Sequence, residues 1–248
     1  MTQQSRHIIF DLDGTLLDTE YEVACITADL ATEQGCAISA DEVFRDFSGL
    51  GSREKFTEIA ESRGVVLSDA TLDTLSRLHE ERKGELSKGS TLPVNPHVPE
   101  TLEDLKQAGD VISLCSSNPT QRSKLCLETA GLSAYFNERV YGPDLVAGRK
   151  KPDPASYLLA MEENGSDAAN TVVVEDSEPG IVAGKKAHAF VIAYLDPRFG
   201  TGVVAEAKKQ SFREAGADIV IRDFKDFKAA LPQQKPNAPR SRPPKPQF

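Results

Sequence analysis

Three short clusters hold the residues of this 248-residue chain whose types and spacing could do chemistry: Asp11-Leu12-Asp13-Gly14-Thr15, Cys115-Ser116-Ser117-Asn118 and Glu175-Asp176-Ser177. Asp11 and Asp13 are two apart, so in an extended segment both carboxylates leave the same side of the chain. Two such charges repel, and a divalent cation is their natural compensation. Gly14 lets the backbone turn away directly after them. Asp176 offers a third oxygen ligand, and carboxylates, carbonyls and water are the hard donors that Mg2+ prefers. A lone Asp-x-Asp is more often a solvated turn or a helix cap. The full five-residue run is more specific, arising by chance in roughly one chain in several hundred.

Each cluster follows a short apolar run of the kind that forms a buried parallel strand, which predicts strands over His7–Phe10, Val111–Cys115 and Thr171–Glu175. Further strands are expected at 139–141, 191–194 and 218–221, and helices at 99–108, 154–164, 179–186 and 203–215. Asn118 and Pro119 read as the N-cap and first position of one more helix, which Gly131 closes. Residues 19–88 hold no convincing strand. There Val23, Ile26, Ala28 and Leu30, then Phe56, Ile59 and Ala60, then Leu72, Leu75 and Leu78 recur at helical spacing. The expected fold class is α/β: a doubly wound, mostly parallel, Rossmann-like sheet interrupted by an inserted all-helical domain. Residues 1–18 and 91–231 form the expected core, 19–90 the helical insertion and 232–248 a Pro-rich flexible tail. In open sheets of this kind ligands bind beyond the carboxyl ends of the strands, so the three clusters should converge on one crevice.

Composition narrows the function classes. With 39% hydrophobic and 27% charged residues the chain has an ordinary globular balance. No run of about 18 apolar residues suggests a membrane span, and the N-terminal stretch lacks the apolar region of a secretory signal. A cytoplasmic location is therefore expected. The 29 Lys and Arg against 38 Asp and Glu leave a net charge of −9. Lys235, Arg240, Arg242 and Lys245 lie in the acid-free tail, so residues 1–231 carry −13. A body this acidic argues against nucleic-acid binding, which needs a basic face. The four cysteines form no CxxC pair and read as reduced thiols, with Cys115 buried at a strand end. Oligomeric state is not legible at this level.

The clusters together resemble the motifs of the haloacid dehalogenase-like superfamily, a group of phosphoryl-transfer enzymes. Asp11-Leu12-Asp13-Gly14-Thr15 is similar to its first motif and Ser116 to its second. Lys151 in Lys151-Pro152-Asp153-Pro154 resembles the third, in a context that favours it over Lys150, and Glu175-Asp176 the fourth. The order and separation match across residues 6–195, and the helical insertion resembles the family's four-helix cap. The resemblance implies that Asp11 is the nucleophile and Asp13 the general acid and base. Ser116 would hydrogen-bond the transferring phosphoryl group, and Lys151 would offset its charge. Mg2+ would be held by the Asp13 carbonyl and the carboxylates of Asp11 and Asp176, with Glu175 either a ligand or one step removed.

Asp13 argues against the dehalogenase and phosphonate-hydrolase branches, which the resemblance implies lack that second acid. The likeness is greatest to the β-phosphoglucomutase-like subfamily. Phe47-Ser48-Gly49-Leu50-Gly51-Ser52-Arg53-Glu54 resembles its cap loop, which implies substrate contacts from Gly49 and from Arg53 to a non-transferring phosphate. Thr19, Ser117 and Asn118 match positions around the same pocket. Where the mutases have a histidine, four residues beyond Thr19, this chain has Val23. The expectation is therefore a Mg2+-dependent phosphatase for a small phosphorylated metabolite, a sugar or sugar-acid phosphate, with a mutase as the alternative. A binding protein without turnover is disfavoured because every catalytic position is filled. Closure of the cap is expected to hinge at 18–20 and 90–93.

Overall fold

The structure, a computed structural model, describes residues 5–86 and 92–233. Six parallel strands form one sheet: β1 (His7–Phe10), β2 (Val111–Cys115), β3 (Val140–Tyr141), β4 (Thr171–Glu175), β5 (Phe190–Tyr194) and β6 (Ile219–Ile221). Their order is β3-β2-β1-β4-β5-β6. β1 is buried along its whole length, as a central parallel strand covered on both faces must be. Phe10 lies opposite Leu114 on one side and Val174 on the other, so the three clusters leave the sheet at one level. β1 is also where the strand order reverses, with β2 on one flank and β4 on the other.

Alternate residues serve opposite faces. Ile8, Phe10, Leu114, Val172 and Val174 pack under one helical layer, while Ile9, Val173, Val191 and Ala193 pack under the other. The first layer is built from α5 (Val98–Gln107), α6 (Thr120–Thr129), α7 (Ser133–Phe136) and α11 (Phe227–Ala230). The second is α8 (Ala155–Glu163), α9 (Glu178–Lys186) and α10 (Val203–Glu214). The fold is thus the expected doubly wound α/β class.

Between β1 and β2 come α1 (Glu20–Thr32), α2 (Ala40–Phe47), α3 (Ser52–Ser62) and α4 (Asp69–Leu86). They bury a core of their own, including Leu30, Phe44, Phe56, Ile59, Leu72 and Leu75. This unit meets the sheet-bearing part through the rings of Phe44 and Phe199, whose centroids are 4.9 Å apart, and through the Arg198 guanidinium, which lies 5.0 Å from the centroid of the Phe44 ring. One local expectation is corrected here. α6 starts at Thr120, one residue later than expected, and Pro119 occupies the N-cap position. Residues 234–248 of the expected tail and 90–91 of the second expected hinge lie outside the described residues. Among the described residues no helix is long and apolar enough to cross a membrane. The four cysteines are free thiols, and burial raises the pKa of Cys115.

Candidate active site

Asp11 is fixed where it leaves the sheet, its backbone N–H donating to the Val174 carbonyl at 2.9 Å. The chain then turns through Gly14, whose φ is +76°. A Cβ at Gly14 would sit 2.0 Å from Asp176 Oδ2, so only glycine permits this approach of the two strand ends. Asn95 clamps the same turn, its Nδ2 donating to the carbonyls of Gly14 at 3.0 Å and Thr15 at 2.8 Å. Thr15 donates through Oγ1 to Asp176 Oδ1 at 3.2 Å.

Lys151 comes from the loop before α8 and is nearly buried. Its ammonium donates to Asp11 Oδ1, lies 2.5 Å from Glu175 Oε1 and reaches the Cys115 carbonyl at 3.0 Å. Burial works against this charge, but the carboxylates of Asp11 and Glu175 outweigh it and raise the pKa. Glu175 is wholly buried. Besides Lys151 it accepts from Tyr157 Oη at 2.6 Å, Ser177 Oγ at 3.1 Å and the Asp176 N–H at 3.3 Å. Those four donors fill the acceptor positions of one carboxylate.

Carboxylate oxygens of Asp11, Glu175 and Asp176 all lie within 4.8 Å of one another. Burial pushes the Asp11 carboxyl well above its usual range; Lys151 opposes this, and Glu175 and Asp13 add to it. Asp176 is raised in the same way, by burial and then by Asp11, Glu20 and Glu175. One ammonium among three close carboxylates leaves negative charge uncompensated in a buried place. A hard divalent cation fits that donor set and removes the imbalance.

Asp13 stands on the other side of the turn. Its Oδ1 accepts from Thr19 Oγ1 at 3.2 Å and its Oδ2 from Asn118 Nδ2 at 2.6 Å. The Asn118 N–H donates to Ser116 Oγ at 3.0 Å, and among the described residues no acceptor takes the Ser116 hydroxyl proton. The sequence-based reading of Asn118 as an N-cap is thus corrected: its side chain holds a carboxylate on a neighbouring strand.

A cavity of about 1110 Å³ opens above these groups, between the strand ends and the inserted helices. Asp11, Asp13, Gly49, Ser116, Ser117, Asn118, Lys151 and Asp176 line it. Thr19 lines a smaller recess beside Asp13, and Glu175 lies buried beneath. Arg53 is not brought to the cavity. Its guanidinium pairs with Asp69 and Asp73, which sit one turn apart on α4. Sequence reasoning also missed Asn95, Tyr157, Lys55 and Arg122. Only Lys55 left a signal, as a lysine four residues before the inward-facing Ile59.

A family profile described as haloacid dehalogenase-like hydrolase matches residues 8–194. The chain belongs to that family. Among relatives of this haloacid dehalogenase-like hydrolase is a phosphorylated carbohydrates phosphatase of Thermotoga maritima, 33% identical over 73% of this chain and 80% of its own. A phosphoglycolate phosphatase of Vibrio parahaemolyticus is 34% identical over 75% of this chain and 82% of its own. Among solved structures, a putative β-phosphoglucomutase from Thermotoga maritima superposes with a TM-score of 0.65 at 26% identity, covering 91% of this chain and 100% of that one. The family membership and these relatives make the chain a phosphatase of the haloacid dehalogenase-like hydrolases.

Proposed function

We propose that this hydrolase cleaves a small phosphorylated metabolite, a sugar or sugar-acid phosphate, by way of an aspartyl phosphate on Asp11. The observation that carries the reading is the pairing of two carboxylates in opposite settings. Asp11 is bound to the Lys151 ammonium, while Asp13 is held by two neutral donors. The first setting suits a nucleophile beside an anion, and the second suits a group that gives and takes protons.

In the first step a carboxylate oxygen of Asp11 attacks phosphorus and the ester P–O bond breaks. Asp13, acting as the general acid, gives a proton to the departing alcohol oxygen. In the second step Asp13 takes a proton from water as that water attacks the same phosphorus. The bond from phosphorus to Asp11 breaks, inorganic phosphate leaves and the Asp11 carboxylate is restored. Ser116 donates its unclaimed hydroxyl proton to a phosphoryl oxygen, and the Lys151 ammonium offsets negative charge through both steps. Glu175, itself held by Tyr157 and Ser177, keeps Lys151 in place. Asp11, Asp176 and the Asp13 carbonyl are the donors for Mg2+, which when bound neutralises charge on the phosphoryl group and Asp11. Gly49, Ser117 and Asn118 contact substrate from the cavity wall.

Val23 favours hydrolysis over mutase chemistry. It lines the recess beside Asp13 and Thr19 and brings no titratable group there. Helices α1 to α4 act as a cap that closes over the cavity and excludes bulk water. Phosphate release from a panel of sugar phosphates, phosphoglycolate and an aryl phosphate tests the reading, with Mg2+ and with chelator, for wild type and Asp11→Asn. Metal-dependent release lost in the variant is expected. Isomerised sugar phosphate without released phosphate would establish a mutase instead.

A further inference from the structure

The cavity walls carry several carboxylates, and most of their cations are matched to them. Lys151 is bound to Asp11 and Glu175, and Lys208 pairs with Glu178 at 2.9 Å. Two cations differ. Lys55 reaches the cavity from α3 and is only 4% exposed, yet among the described residues no hydrogen bond or ion pair meets its ammonium. Burial depresses its pKa, against the pull of Glu20 and Glu80, and Lys83 adds to the depression. Arg122 reaches the same cavity from α6, on the sheet-bearing part. Its Nη1 lies 3.6 Å from Glu80 Oε2, while its Nε is buried with no hydrogen-bond acceptor. Arg122 also lines the recess that holds Asp13.

A lysine kept for structure would be buried against a carboxylate, and a structural arginine would satisfy its Nε. The Lys55 side chain is almost wholly buried with, among the described residues, no contact partner for its ammonium other than what enters the cavity, and the buried Nε–H of Arg122 without an acceptor is unfavourable in its own right. An anion in the cavity between the inserted helices and α6 would meet the Lys55 ammonium directly, and would meet the Arg122 Nε once that side chain turns toward it. The Nε edge of a guanidinium is shaped to bind a carboxylate or phosphate through two parallel hydrogen bonds.

We propose that Lys55 and Arg122 together hold a second anionic group of the substrate, so that this enzyme acts on phosphomonoesters that also carry a carboxylate or a second phosphate. The inference rests on the phosphatase reading and names the substrate class within it. It assigns to Lys55, two residues further along α3, the anion contact that the sequence pattern suggests for Arg53. It also makes substrate binding a bridge between the cap and the core.

Matched pairs test it. Phosphoglycolate is compared with 2-hydroxyethyl phosphate, and 1,3-propanediol bisphosphate with 3-hydroxypropyl phosphate, alongside an aryl phosphate. The first pair reads a carboxylate and the second a phosphate. Wild type should prefer the charged member of at least one pair by about tenfold or more in kcat/KM, the scale expected of charge-assisted hydrogen bonds in a desolvated site. Lys55→Met and Arg122→Gln should each collapse that ratio, chiefly through the KM of the charged member, and Lys55→Arg should restore part of it. The ratio does not depend on how much of a preparation is folded, so a destabilised variant cannot imitate the result. A wild-type ratio near one, a ratio untouched by both substitutions, or turnover of the aryl phosphate alone would each overturn the inference. No release from any compound would instead remove the phosphatase reading, and this inference with it.

Discussion

Asn118 Nδ2 lies 2.6 Å from Asp13 Oδ2, tying the end of β2 to the turn that follows β1. With Thr19 on the other oxygen, this contact fixes the rotation of the Asp13 carboxyl. Asn118→Ala removes it and leaves Asp13 anchored on one side only. General acid and base catalysis contributes about 10²–10⁴-fold when the group is well placed, and misplacement forfeits part of it. A fall in kcat of roughly ten- to a hundredfold is expected, for an aryl phosphate as well as for metabolites. Unchanged kcat in steady-state assays would mean that Thr19 alone positions Asp13.

Gly14→Ala should separate folding from metal use. The added methyl would meet Asp176 Oδ2 at 2.0 Å, and the positive φ adds strain of about 1–2 kcal/mol. The chain should still fold, because the sheet lies below the turn. Asp176, however, must move away from Asp11, and the Mg2+ concentration for half-maximal activity should rise at least about tenfold. A Mg2+ titration of activity indistinguishable from wild type would show that Asp176 is not a ligand.

Much of this arrangement was legible in the sequence because central parallel strands are buried on both faces and read as unbroken apolar runs. The bounds of β1, β2 and β4 match the expectation for that reason. The polar residues at their ends, Asp11, Asp13, Ser116 and Asp176, then had one place to go. What escaped depended on partners distant in the chain. Asn118 has the sequence context of an N-cap, yet the pull of Asp13 across the sheet prevails over local capping. Arg53 lies in a loop-like motif that suggests an anion contact. The two acids that bind it are on α4, and nothing near Arg53 announces them. Asn95 is an ordinary polar residue in sequence, and only the folded turn reveals the two carbonyls it clamps.

Lys151→Met should destabilise the fold as well as stop turnover. It leaves the fully buried Glu175 and the adjacent Asp11 without their shared cation. Breaking a buried pair in this way costs about 3–5 kcal/mol, so the urea midpoint should fall markedly. Adding Glu175→Gln should recover a large part of that loss, since the uncompensated charge goes with it. If the double variant is as unstable as the single one, lost packing rather than stranded charge is the cause.

Stability should fall with acid partly through His7. Its Nδ1 lies 2.6 Å from Ser166 Oγ and its Nε2 2.7 Å from Ser113 Oγ, inside the sheet-bearing core. Burial first, and Arg139 second, lowers its pKa from 6.5 to about 4. The unfolded chain takes up the proton near 6.5, and the folded chain resists it until about pH 4. The unfolded state therefore binds more protons throughout that window. This contribution is fully present above pH 6.5 and is lost as pH falls towards 4, a swing of up to about 3 kcal/mol. Urea melts of wild type and His7→Gln between about pH 7.5 and 4.5 isolate it, with the variant losing less on acidification. Equal losses would place the acid sensitivity in carboxylates instead.

Arg53→Ala distinguishes the structure from the motif that suggested a substrate contact. The side chain is 43% exposed and its partners, Asp69 and Asp73, are 91% and 74% exposed. Solvent screens such pairs, so their loss should cost only about 0–1 kcal/mol. The same pairing commits the guanidinium to α4, and Arg53 does not line the cavity. The KM for any accepted phosphate should therefore change less than about threefold, whereas loss of a direct charged contact raises it tenfold or more. A tenfold rise confined to substrates with a second anion would mean that Arg53 leaves its two aspartates when substrate binds, and that the cap loop rearranges on closure.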